Sequence, residues 1–84
     1  MEVHFLPSGL NDLSRLDAAT MRRIVRRIDW LANNFTHIEP ERLKGELAPL
    51  LKFRVGDYRI LYQVIDQENS LIIHRIGHRR EIYS

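Results

Sequence analysis

Five cations sit on segments that alternate like β-strands, and their parity gathers them: Lys52 with Arg54, Arg59 alone, and Arg75 with Arg79. Side chains two apart on a strand share a face, so three neighbouring strands can offer positive charge to one region. Like charges repel, and such a cluster has a purpose if it holds an anion. The alternative is a solvated basic sheet face. Of the 13 basic residues 11 are arginine, whose rigid fork of donors matches phosphate oxygens and stacks on bases. The pattern therefore points to phosphate or RNA binding. Lys44 and Arg80 extend the same basic set.

Arg22-Arg23 and Arg26-Arg27 form a second group. Residues four apart share a helix face, so these arginines read as one stripe on the exposed side of a helix, either solvated or in contact with RNA. His78, within Gly77-His78-Arg79-Arg80, is a candidate for proton transfer near neutral pH, or a surface histidine ending a strand. Tyr83, beside the arginines, is either packed into the core or free to stack on a base. His74 and His78 share a strand parity but lie about 13 Å apart at the strand rise, too far for ligands that must reach one metal at about 2 Å. Without cysteine, disulfides, zinc–thiolate sites and thiol nucleophiles are excluded. No metal and no cofactor is expected.

The elements that must position these residues follow from periodicity. Residues 2–6 alternate as a short strand. Pro7-Ser8-Gly9 breaks it, and Ser8 is the expected cap of a helix bearing Leu10, Leu13 and Leu16. Asp17 caps a longer helix whose apolar positions Met21, Ile24, Val25, Ile28, Leu31, Ala32 and Phe35 keep the helical period; Asn33-Asn34 suits its end. The connection between the helices is short enough for a hairpin. Arg42-Leu43-Lys44-Gly45 and Pro49 read as loop. Strands follow at Leu50 to Val55, at Tyr58 to Ile65 and from Leu71 to about Gly77, with turns at Gly56-Asp57 and Gln67-Glu68-Asn69-Ser70. The order β-α-α-β-β-β predicts an α+β domain over residues 1–84: a helical hairpin packed on one face of a mostly antiparallel sheet.

The chain has 84 residues and a formal net charge of +2, enough for one small core. No run approaches the roughly 20 apolar residues that span a bilayer, and Met1 to Pro7 lacks the apolar core of a signal peptide. A soluble, intracellular protein with no membrane partner is expected.

Three stretches resemble the RelE/ParE toxin superfamily: Leu43-Lys44-Gly45, Arg54-Val55-Gly56-Asp57-Tyr58-Arg59-Ile60-Leu61-Tyr62, and Ile76-Gly77-His78-Arg79-Arg80-Glu81-Ile82-Tyr83. The resemblance runs the length of the chain and implies the fold just described. It also implies the toxin of a type II toxin–antitoxin system, specifically a cytoplasmic, ribosome-dependent endoribonuclease that cleaves mRNA by 2′-hydroxyl attack on the adjacent phosphate. Arg59 and Arg79 would then stabilise the transition state, Tyr83 would stack on or orient a base, and Lys52 and His78 would complete the catalytic set. Some members carry a lysine where this chain has Leu50, and a histidine directly followed by tyrosine where Arg79 to Ile82 intervene here. Partners implied are an antitoxin, the ribosome and mRNA. A gyrase poison of the same fold, or a non-catalytic module that only binds its antitoxin, are the alternatives.

Overall fold

A computed structural model describes residues 1–83. Asp17 begins helix α2 (Ala18–Asn34) as expected, its carboxylate accepting from the Thr20 amide at 3.2 Å. The Thr20 side chain, and then its amide, hold the Asp17 carboxyl below the usual range. Along α2 the buried positions Ile24, Ile28, Leu31 and Ala32 recur at helical spacing. Helix α1 (Pro7–Ser14) begins differently from expectation. Pro7 holds its first turn, where a missing amide N–H costs nothing, and no side chain caps it. The Ser8 hydroxyl donates instead to the His74 carbonyl at 2.7 Å, tying α1 to the sheet. Gly9 allows this contact, because a Cβ there would lie 2.6 Å from the Ile73 carbonyl oxygen.

Both helices cover one face of a five-stranded sheet in the order β1-β5-β4-β3-β2. Its strands are β1 (Glu2–Phe5), β2 (Glu41–Arg42), β3 (Leu51–Val55), β4 (Tyr58–Ile65) and β5 (Ser70–His78). β1 pairs parallel to β5, and all other pairs are antiparallel. Residues 41–42, of which Arg42 is expected as loop, add two pairs to the edge of β3. Both are polar and exposed, so no hydrophobic alternation announces them.

The core joins Ile24, Ile28 and Leu31 of α2 to Leu51, Val55, Ile60, Tyr62, Leu71, Ile73 and Ile76 of the sheet. Tyr62 is wholly buried and packs edge-on against Phe35. Among the described residues its hydroxyl has no partner, and burial pushes it up to about 12. A buried hydroxyl without a hydrogen bond costs free energy. Tyr62→Phe should therefore leave stability unchanged or raise it by up to about 1 kcal/mol, read as the urea midpoint; a clear loss would show that the hydroxyl is bonded.

β4 and β5 slip by one residue: Tyr62 pairs with Ile73 but Leu61 with Arg75, leaving His74 as a bulge. Asp12 of α1 stabilises it, accepting from the Ile76 amide at 2.9 Å and from Arg75 Nε at 2.7 Å. His74 lies with Gln63 (Nε2 to Oε1 3.1 Å), while His78 packs edge-on against Tyr58. The two histidines thus occupy opposite faces, contrary to the parity argument. Burial lowers the His74 pKa from its ordinary value. The native chain then binds fewer protons than the unfolded one, so this contribution to stability is present above about pH 6.5 and lost as pH falls through the folded value. His74→Gln should flatten that decline in melts between pH 5 and 8; an unchanged slope would assign it elsewhere.

Candidate nucleic-acid interface

The face opposite the helices carries Lys52 and Arg54 from β3 and Arg59 from β4, with Arg54 and Arg59 directly paired across the strands. The edge strand β2 places Glu41 between the first two: its carboxylate meets Lys52 Nζ at 3.2 Å and Arg54 Nη2 at 3.0 Å. Arg54, and then Lys52, hold the Glu41 carboxyl below the usual range. The Lys52 side chain is only 18% exposed. The Tyr83 ring lies over its ammonium, 5.7 Å from centroid to Nζ.

The hairpin turn between β3 and β4 gathers further guanidinium groups. Arg59 Nη1 donates to the carbonyls of Gly56 and Tyr58, each at 2.9 Å. Arg79 is bound to the same turn twice: its amide donates to the Asp57 carbonyl at 2.7 Å, and its Nε lies 3.6 Å from the Asp57 carboxylate. From α2, Arg23 lies against Gly56, whose φ is +59°. Three arginines therefore meet one turn that contributes a single carboxylate.

Beyond β5, the amides of Glu81 and Ile82 return to the His78 carbonyl at 2.8 and 2.9 Å. This short turn carries the chain back so that Tyr83 reaches Lys52. Lys52, Arg54, Arg59, Arg79 and Tyr83 are thus brought to one end of one face.

Other expected members stand apart. Arg75 is held by Asp12 on α1 at 2.7 Å, and that hydrogen bond raises its pKa. His78 packs on Tyr58, on the helix-facing side, and its Nδ1 accepts from the Arg80 amide at 3.2 Å. The four helix arginines do not form one stripe. Arg27 stacks over Trp30 and Phe53 at 4.7 and 5.3 Å and Arg23 reaches the hairpin turn, leaving Arg22 and Arg26 exposed beside Met21 and Val25. Lys44 and Arg80 are exposed, and no ion pair among the described residues involves them. Sequence reasoning missed Glu41, Asp57 and Asp12, the carboxylates that hold these cations; acids in loops and turns carry no distinguishing spacing.

Chemically, the assembled group has the donors that an anion requires. It holds forks of arginine donors and an aromatic ring, and its two carboxylates are already engaged with cations. Such preorganised donors suit a phosphate that gains charge during reaction. Among the described residues no cluster of histidine and carboxylate ligands is placed to hold a metal ion, and no helix is long and apolar enough to cross a membrane.

A small α+β domain with an arginine-lined sheet end and a terminal aromatic is the class that fold and site define. The model of the family described as ParE toxin of type II toxin-antitoxin system, parDE, matches residues 3–83, and the chain belongs to that family, within the RelE/ParE superfamily of toxins. The chain is 33% identical over 85 residues to toxin RelG of Mycobacterium tuberculosis, covering 96% of this chain and 93% of that one. Its fold superposes with a TM-score of 0.82 on the toxin–antitoxin complex RelBE2 of the same organism, at 28% identity over 93% of this chain and 96% of the other. With the isolated RelE toxin of Escherichia coli the TM-score is 0.75, at 22% identity over 98% and 89% of the two chains, a likeness of fold alone.

Proposed function

We propose that this toxin cleaves mRNA on the ribosome. The observation that carries the reading is the convergence of Arg59 and Arg79 on one hairpin turn, next to Lys52 with Tyr83 stacked over it. In the proposed reaction a ribose 2′-hydroxyl attacks the adjacent phosphate, the bond to the 5′-oxygen breaks, and a 2′,3′-cyclic phosphate and a free 5′-hydroxyl result. Arg59 and Arg79 neutralise the charge that builds on the phosphate oxygens, while Tyr83 stacks on a base. Glu41 is committed to Lys52 and Arg54 and His78 lies on the other side of the sheet, so neither is a free proton acceptor here. This scarcity supports a dependence on the ribosome, which brings groups of its own to the decoding site in the cytoplasm.

The second partner is a cognate antitoxin. Similar toxins were solved as complexes with theirs, and an acidic segment that folds on binding suits a basic sheet face.

The test is to induce the chain in a bacterial host and map 5′ ends on an abundant transcript. Cuts confined to translated codons support the reading. Growth arrest with intact transcripts and gyrase-trapped DNA breaks would overturn it in favour of a gyrase poison; no arrest would leave a binding module.

A further inference from the structure

Gly77 faces the cationic side of the sheet, directly opposite Arg59 in register. That side chain does not fill the space beside it, since its guanidinium is turned to the Gly56 and Tyr58 carbonyls. Ile82 fills it instead. A Cβ on Gly77 would lie 2.9 Å from Ile82 Cδ1, 3.4 Å from its Cβ and 3.6 Å from its Cα. One strand on, Leu61 is 2% exposed yet lies outside the main core cluster. It sits in register between Lys52 and Arg75, on the stretch the C-terminal turn crosses from Gly77 to Lys52. The cationic face therefore has a small apolar seat of its own.

We propose that Gly77 and Ile82 are positioning residues: a notch and a plug that seat the C-terminal turn and so hold Tyr83 over Lys52. Ordering a short turn beyond a strand costs conformational entropy that contacts must offset. Here the ties are the Arg79 amide on the Asp57 carbonyl, the Ile82 amide on the His78 carbonyl, and the Ile82 side chain in the notch. The hydrogen bonds are exchangeable for bonds to water and add little net; the apolar contact has no such substitute. Tyr83 directly follows the plug, so its ring position depends on whether Ile82 is seated. The consequence for activity rests on the nuclease reading; the seating does not.

The experiment compares Gly77→Val, which fills the notch, Ile82→Ala, which removes the plug, and Ile82→Leu, which keeps one. The first readout, on the purified full chain, is the NMR contact between the Tyr83 ring and the Lys52 side-chain methylenes, with thermal melting as a check on folding. The contact should vanish in Gly77→Val and Ile82→Ala while both stay folded, and persist in Ile82→Leu. The second is cleavage of mRNA in programmed ribosomes. Both disrupting variants should lose rate as much as Tyr83→Ala does, roughly 5- to 150-fold, the span of one base–aromatic stack. Adding Tyr83→Ala to either should change the rate by less than about twofold, because variants acting on one unit do not add. A Tyr83–Lys52 contact that survives both substitutions would overturn the proposal, as would losses that multiply with Tyr83→Ala. Lost contact in variants of a chain that never cleaves RNA would uphold the seating and sink the nuclease reading instead.

Discussion

Arg59→Ala should reduce the rate of mRNA cleavage in programmed ribosomes by about 10²- to 10³-fold, the usual effect of removing one preorganised donor to a developing oxyanion. Arg79→Ala should fall in the same range, and Arg54→Ala well below it. The ranking follows from what each guanidinium already holds. Arg59 is fixed by two neutral carbonyls, which orient it without cancelling its charge. Arg79 faces Asp57, but at 3.6 Å and with the carboxylate 65% exposed, so water screens that pair and little charge is neutralised. Arg54 shares Glu41 with Lys52 at 3.0 and 3.2 Å, and much of its field at the phosphate is already offset. Arg59→Lys should recover only part of the rate, because a point charge cannot keep both carbonyl bonds and a forked contact to phosphate. The measurement is single-turnover cleavage beside a thermal melt of each variant. Equal losses for Arg54 and Arg59 with both variants folded would refute the assignment.

Much of the framework behind that ranking was legible in the residues. The α2 face apart from the exposed Val25, its Asp17 cap and the alternation of β4 appear where periodicity puts them, because each is decided by local spacing and one buried face. What failed depends on contacts distant in the chain. The bulge at His74 exists because Asp12, more than sixty residues earlier, takes the Ile76 amide and the Arg75 side chain. A one-residue insertion reverses side-chain parity beyond it. That is why His74 and His78 part; Arg75 leaves the cationic group because Asp12 on α1 draws its guanidinium away. The helix arginines failed for another reason: periodicity sets where a Cα lies, whereas a long side chain can travel. Arg23 reaches the turn at Gly56 and Arg27 lies along Trp30 and Phe53, apolar stems covering neighbouring surface. Strand β2 has two polar residues and no pattern to read. The Tyr83 ring lies over Lys52, a partner that only the return of the C-terminal turn could reveal.

The helix-covered and cationic faces of the sheet can be separated by experiment, and Leu31→Ala is the substitution that does so. Leu31 is wholly buried on α2, in the layer against the sheet. Its truncation should cost about 2–5 kcal/mol, the lost transfer free energy plus the cavity left behind. Small domains hold only about 5–15 kcal/mol in total, and at this size each kcal/mol moves the melting temperature by roughly 4–8 °C. The melting temperature should fall by about 10 °C or more, with the denaturant midpoint falling in step and its slope unchanged. Lys52, Arg54, Arg59 and Tyr83 lie on the other face, so cleavage per folded molecule, measured well below the new midpoint, should stay near that of the parent chain. A loss of stability under about 1 kcal/mol would mean that Ile24, Ile28 and their sheet partners close over the gap. A large fall in activity at a temperature where the variant is folded would show that the two faces are coupled through the sheet, and the cationic group would then have to be treated as part of the core it rests on.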